Sequence, residues 1–229
     1  MKSLENVEKQ VLKLSYRRND EKEFCAFSML TWIKQGEVLF RDMEVESFNE
    51  SLLKQNIDRL KKLSRNNNEN TITEVKSILK DCGIGLILLD HLPKTYVSGV
   101  TKWMGDKVMV IVSSKGKKLD IFWFNLFHEL GHILKHGKKR IYINDELEIG
   151  NEVQEKEADE FSKNSLIPLK EYRKIIKDMR GLNLTEEYLL KKSSELEIHP
   201  SIIVGRLQYE EVIPYNSKFS KLREAMKGI

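Results

Sequence analysis

The chain has 229 residues and a formal net charge of +4, and it is long enough to bury a substantial hydrophobic core. Its two cysteines, Cys25 and Cys82, argue against a disulfide framework and fit a reducing cytoplasm. The polar start has no signal-peptide pattern, and the longest apolar runs are too short to cross a bilayer. We therefore expect a cytoplasmic protein without a membrane partner.

The first third of the chain predicts helices. Apolar residues recur at helical spacing in Leu4–Ser15, about 21–35 and about 48–63, and Gly36 is expected to end the second helix. An asparagine-rich tract at 64–70 then interrupts the pattern. We therefore predict an N-terminal helical annex at 1–66 and a main domain at 67–229.

The middle of the chain predicts a small sheet beside a central helix. Three short runs rich in β-branched residues predict about three antiparallel strands: 84–89, 96–104 and 107–112. Gly105-Asp106 is a turn signal, so the last two should form a hairpin. From Asp120, a candidate N-cap, the spacing becomes helical, and the helix at about 121–135 is apolar nearly all round, as a central helix is.

The last third predicts further helices, at about 151–164, 169–179, 185–196, 200–209 and 217–226. Helices around one small antiparallel sheet define an α+β fold, mostly helical, with the strands packed against the central helix.

The central helix carries a metal-binding pattern. His128 and His132 are four residues apart, so both imidazoles lie on one helix face and can reach one ion. Zn²⁺ suits such a site because it accepts neutral imidazole nitrogens at about 2.0–2.1 Å. Glu129 lies beside the ion, where its carboxylate can act as a catalytic base.

A catalytic zinc needs a third protein ligand, and the acidic run 152–160 offers one. On a helix, Glu155, Ala158 and Asp159 share a face, and the small Ala158 permits close approach to the metal helix. Glu155 would ligate the zinc, while Asp159 would accept the free ring N–H of a ligating histidine. His136 lies one turn beyond His132, too far from His128 to share the ion, and is expected to cap the helix or support a ligand.

These residues resemble a known family. His128–His132, Glu155–Phe161 and Leu166–Pro168 are similar to motifs of the ImmA/IrrE metallo-endopeptidases, which have a zincin-like domain. The closest similarity is to the peptidase-like C-terminal region of HigA-type antitoxins and related XRE-family regulators. Further segments carry the resemblance between about Leu30 and Leu222: Trp32–Glu37, Ser98–Trp103, Phe122–Phe124, His136–Lys139 and His199–Gln208.

The resemblance implies a zinc-dependent endopeptidase with ligands His128, His132 and Glu155, general base Glu129 and a protein substrate. Family members are often encoded beside, or fused to, transcriptional repressors in phage, stress-response or toxin–antitoxin settings. We therefore expect a transcription regulator encoded nearby as the substrate. Fewer than about 30 residues precede the match, and Leu4–Ser15 predicts a single helix, so direct DNA binding through a helix-turn-helix is not expected.

Substrate contacts are predicted along the second strand. An extended peptide could pair with its edge, which makes Val97, Gly99, Thr101 and Trp103 candidate substrate-binding residues. Candidates for stabilising the developing oxyanion are Tyr142, His199 and Arg206. The alternative function is a non-catalytic regulator whose metal only stabilises a protein-binding module, and a DNA-binding repressor lacks support because no reading helix is evident.

Overall fold

The computed structural model describes residues 26–90, 92, 98–113, 118–137, 152–181 and 184–228. The elements in chain order are α1 Ala26–Arg41, α2 Glu50–Leu63, α3 Thr71–Asp81, β1 Ile84–Leu89, β2 Gly99–Met104, β3 Lys107–Ser113, α4 Leu119–His136, α5 Glu152–Leu166, α6 Leu169–Gly181, α7 Glu186–Leu196, α8 Pro200–Tyr209 and a 3₁₀ helix Lys218–Leu222. The predicted α+β fold, mostly helical with three strands, is confirmed. None of the described helices is long and apolar enough to span a bilayer.

The sheet is mixed, which corrects the prediction of a wholly antiparallel one. Its order is β1-β3-β2, with β2 antiparallel to β3 and β1 parallel to it. The hairpin at Gly105-Asp106 is confirmed. β3 occupies the centre because Val108–Val112 are apolar and buried without a break, as strands covered on both faces are. After the hairpin turn, β3 therefore lies between β1 and β2 and runs parallel to β1.

Two hydrophobic clusters cover the two faces of the sheet. Even-numbered residues of β3 point to the larger cluster, formed with α2 to α8, and odd-numbered ones point to a smaller cluster under α1. The fully buried centres of the smaller cluster are Trp32, Ile33, Met109 and Ile111. The sheet is thus a middle layer, with α4 on one face and α1 on the other.

Gly36 does not end its helix, contrary to the prediction. α1 continues to Arg41, and Gly36 lies where the helix meets the sheet. A Cβ at this position would lie 2.2 Å from Cδ1 of Ile111. The glycine therefore permits close packing of α1 on β3, a contact that the local helical pattern does not reveal.

The central helix α4 begins and ends one or two residues beyond its predicted bounds. Asp120 is not its N-cap, because Lys118 occupies that position and Asp120 is buried inside the first turn. The Asp120 carboxylate accepts hydrogen bonds from Arg223 at 2.6 and 3.1 Å. Its partner lies more than 100 residues away in sequence, so a capping pattern was the only local signal.

The predicted helix at 217–226 is wrong, because only Lys218–Leu222 form a short 3₁₀ helix. The chain beyond it runs along the start of α4, where Leu119 N–H donates to the Glu224 carbonyl at 3.1 Å and Lys118 forms a β-bridge with Ala225. These backbone bonds hold residues 223–225 in an extended conformation.

Several predicted features lie outside the described residues: the helix Leu4–Ser15, Cys25, Val97 and Tyr142. The division into 1–66 and 67–229 stays a prediction. Leu53 and Leu60 of α2 are fully buried in the same hydrophobic cluster as α4.

Candidate metal centre

The two histidines of α4 face each other at the helix surface. His128 and His132 are one turn apart, and their Nε2 atoms lie 3.0 Å from one another. Two ring nitrogens at this distance require a shared proton or a cation between them. The surrounding helix is apolar, with Phe127 and Leu130 fully buried, so the paired imidazoles form a polar site on a hydrophobic support.

Helix α5 packs closely against α4 through small residues. A Cβ at Gly131 would lie 3.1 Å from Cα of Ala158 and 3.2 Å from its carbonyl oxygen. One turn further along α5, the Ser162 hydroxyl donates to the Phe124 carbonyl at 2.7 Å. The close approach expected at Ala158 is therefore present, and it brings the acidic face of α5 to the histidines.

Glu155 completes a group of three metal-binding side chains. Its Oε2 lies 3.2 Å from His128 Nε2, and its Oε1 lies 3.6 Å from His132 Nε2. Two ligands held 2.0–2.1 Å from one tetrahedral ion are separated by about 3.3 Å, so the three donors fit one such ion. His128, His132 and Glu155 could hold a metal, and they are the only such group among the described residues.

Asp159 orients the first histidine. Its Oδ1 lies 2.8 Å from Nδ1 of His128, which assigns the ring proton to Nδ1 and leaves the Nε2 lone pair for a metal. Burial alone would lower the pKa of His128, but hydrogen bonds to Asp159 and Glu155 raise it to about 10. Hydrogen bonds to His128 and His132 lower the pKa of Glu155. These hydrogen bonds favour the protonated form of His128 and the ionised form of Glu155 when no metal is bound.

Glu129 points to the sheet side of α4. Its side chain is buried, with 4% of the residue exposed, and its Oε2 accepts a hydrogen bond of 2.6 Å from the Thr101 hydroxyl on β2. Burial raises the pKa of Glu129, while the charges of His128 and His132 oppose the rise. The carboxylate therefore lies between the histidine pair and the edge strand.

The segment that carries this geometry matches a known family. Residues 84–193, just under half of the chain, match the family model of the IrrE N-terminal-like domain, Peptidase M78. Over these residues the chain is similar to an IrrE N-terminal-like domain. This confirms the predicted resemblance to the ImmA/IrrE family over that stretch, and M78 peptidases are metallopeptidases. Neither the curated proteins nor the solved structures include a match. The closeness to HigA-type regulators stays a prediction.

The matched segment begins at β1 and ends within α7, so it includes His128, His132 and Glu155. His136 lies beside the metal centre and links α4 to α5. The Nε2 atom of His136 lies 3.3 Å from the Gln154 carbonyl, and its Nδ1 lies 3.6 Å from Glu157 Oε2. His136 thus ties the end of α4 to the first turn of α5, next to Glu155, and is not in the group of three donors.

Two predicted substrate-binding residues face Glu129. Thr101 donates to its carboxylate, and Gly99 lies against the same group. Trp103 packs edge-on against Phe48, with ring centroids 5.0 Å apart. Sequence reasoning missed the contact between Thr101 and Glu129 because strand alternation predicts which residues share a face but not what that face meets.

Two of the candidates for stabilising the oxyanion, His199 and Arg206, form hydrogen bonds that stabilise α8 and its contacts. His199 caps α8 through Nδ1, which accepts from the Ser201 N–H, and buried Arg206 donates to the carbonyls of Lys163 and Ile167. A residue that sequence reasoning missed is Tyr209, which is 61% exposed at the end of α8. The ammonium of Lys163 lies 5.0 Å from its ring centroid, and the charge of Asp159 raises the pKa of Tyr209.

Proposed function

We propose that this chain is a zinc-dependent endopeptidase that cleaves a specific protein partner. The observation that carries the proposal is the convergence of two imidazoles and one carboxylate beside a buried second carboxylate, Glu129, within an M78 domain. A structural zinc site normally has four protein ligands, whereas three ligands leave a position for substrate. Among the described residues the donor set has three members, which supports a catalytic rather than a structural site.

His128, His132 and Glu155 would hold the ion. When bound, zinc supplies Lewis-acid polarisation of a peptide carbonyl and makes water acidic enough to lose a proton near neutral pH. Two nitrogens and one carboxylate oxygen suit zinc better than the all-oxygen ligand sets of calcium or magnesium.

Glu129 would transfer the proton. Its carboxylate accepts a proton from the attacking water and passes it to the nitrogen of the leaving amine. The adjacent β2 would bind substrate, because its residues Gly99 and Thr101 lie against the Glu129 carboxylate. An extended peptide lying beside this strand would run past Glu129.

The proposed substrate is a transcription regulator, such as a repressor or a toxin–antitoxin component, encoded near this chain. This part of the proposal rests on the resemblance to ImmA/IrrE proteins. Because the formal net charge of +4 is small, we expect the substrate to be recognised through surface shape rather than through a strong electrostatic field.

The test combines metal content with cleavage. The purified chain should contain about one zinc per chain, and His128→Ala should lose it. Incubation with each neighbouring regulator, and with a proteome-derived peptide library, should give products that mass spectrometry identifies. Glu129→Gln should keep the metal and abolish cleavage, whereas Glu160→Gln, an exposed carboxylate on α5, should behave like the wild type.

The two hypotheses give different results. Full zinc content without cleavage of any neighbouring regulator, together with an unchanged cellular phenotype in Glu129→Gln, would support the non-catalytic regulator. Absence of zinc at neutral pH, even after incubation with the metal, would contradict both.

A further inference from the structure

The edge strand β2 has two different faces. Alternate residues of a strand point to opposite sides, so Gly99 and Thr101 face α4 while Lys102 faces α1. Both inward-facing residues, Gly99 and Thr101, lie against Glu129. The described part of the wall beside Glu129 therefore contains the Thr101 hydroxyl and Gly99.

Both oxygens of the Glu129 carboxylate are constrained by this wall. Oε2 accepts a short hydrogen bond of 2.6 Å from the Thr101 hydroxyl, and the glutamate that accepts it is buried. Oε1 lies over Gly99, where a Cβ would be only 2.4 Å away. The carboxylate thus accepts from Thr101 on one side and, on the other, occupies a space that a side chain at position 99 would fill.

The strand that supplies these contacts is anchored from its other face. Lys102 Nζ lies 2.8 Å from Glu37 Oε1 on α1, and the two side chains are only 12% and 7% exposed. Lys34 binds the other oxygen of Glu37, also at 2.8 Å. A buried ion pair adjacent in sequence to Thr101 therefore holds β2 in place, although β2 lies at the edge of the sheet.

We propose that Thr101 is a positioning residue: its hydroxyl holds the Glu129 carboxylate beside the metal centre, and Gly99 provides the space. The structural part of this proposal is independent of any substrate. Its consequence for turnover rests on the proposed function.

The test compares Thr101→Val, which keeps the shape and removes the donor, with Thr101→Ser, which keeps the donor. Thr31→Val, on the exposed face of α1, is the matched control. Each variant is loaded with Co²⁺, whose visible spectrum reports the surroundings of its open coordination position. Thr101→Val should bind one Co²⁺ per chain with an altered spectrum, and Thr101→Ser and Thr31→Val should match the wild type.

The dependence on Glu129 is tested in a second background. In Glu129→Ala, which offers the Thr101 hydroxyl no side-chain acceptor, adding Thr101→Val should change the spectrum no further. With a cleavable substrate, Thr101→Val should lower kcat about tenfold or more at an unchanged KM, and Thr101→Ser should restore it.

Two results would overturn the proposal: a wild-type spectrum and kcat in Thr101→Val, or an equal spectral change in the Glu129→Ala background. If the wild type cleaves nothing, the proposed function fails, and the Co²⁺ spectra alone then decide whether Thr101 positions Glu129.

Discussion

Asp159 Oδ1 lies 2.8 Å from Nδ1 of His128, and this contact turns the other ring nitrogen toward His132 and Glu155. A carboxylate in this position fixes the tautomer of a metal-binding histidine and increases its basicity. One residue of α5 thus controls a side chain of α4, while its neighbour one turn earlier, Glu155, completes the donor set.

Asp159→Asn should weaken metal binding without changing the fold. The amide cannot stabilise the Nδ1–H form of His128 as a carboxylate does, so the Kd for zinc should rise about 10- to 100-fold. Competition with a chromophoric chelator measures this Kd. The control is Glu160→Gln, which removes an exposed charge from the same helix. An unchanged Kd in Asp159→Asn would mean that the 2.8 Å contact does not orient the ring.

Metal affinity should increase with pH. In the metal-free chain the pKa of His128 is about 10, because hydrogen bonds to Asp159 and Glu155 outweigh the effect of burial. Below that value a proton must leave before the metal binds, so Kd should fall about tenfold per pH unit near neutrality. Isothermal titration calorimetry in buffers of different ionisation enthalpy would count the released protons. A Kd that is constant between about pH 6 and 8 would contradict this assignment.

Glu37→Gln should destabilise the fold at neutral pH but not in acid. Burial alone would raise the pKa of Glu37, yet hydrogen bonds from Lys102 and Lys34 lower it below 4.5. The carboxylate therefore stabilises the fold above pH 4.5, and this contribution is lost as pH falls through the lower pKa of the folded state. Urea unfolding should give a deficit of about 2 kcal/mol at neutral pH that disappears on acidification.

The matched control for Glu37 is Glu50→Gln, which removes an exposed pair with Lys54. Its effect on the free energy of unfolding should stay within about 1 kcal/mol. A deficit for Glu37→Gln that is equally large in acid would show that packing, rather than charge, is what the glutamate contributes.

Arg223→Ala should destabilise the chain strongly. It leaves the Asp120 carboxylate buried without its cation, where the side chains of the pair are 15% and 3% exposed. The free energy of unfolding should fall by about 3–5 kcal/mol, and Asp120→Asn in the same chain should recover part of the loss. Lys221→Ala, which breaks an exposed pair with Glu186, should cost less than about 1 kcal/mol. Equal losses in both variants would contradict the importance of burial.

Local patterns were enough to predict the metal donors. His128 and His132 are related by one helical turn, and Glu155 and Asp159 by another, so each pair could be read from spacing alone. The meeting of the two helices followed from one more feature, the small residue Ala158. The helix bounds were also close where caps are local, as at Thr185, whose hydroxyl accepts from the Tyr188 N–H.

The features that sequence reasoning missed all depend on distant partners. Aspartate is a common N-cap residue, so the sequence suggested that role for Asp120. Its actual role, an ion pair with Arg223, involves a residue more than 100 positions away. The position of β3 between β1 and β2 depends on the whole sheet, and Gly36 allows α1 to pack closely on Ile111 within a helix that continues to Arg41. Such contacts leave no periodic signal in the chain itself.

The bridge between Lys118 and Ala225 also bears on biosynthesis. A ribosome adds residues one at a time, so the helix bearing the histidines emerges about a hundred positions ahead of the segment that covers its first turn. Until that segment is released from the exit tunnel, the Asp120 carboxylate has no arginine to neutralise it. A chain truncated after residue 193, where the family match ends, would lack Arg223 and leave Asp120 without this partner permanently.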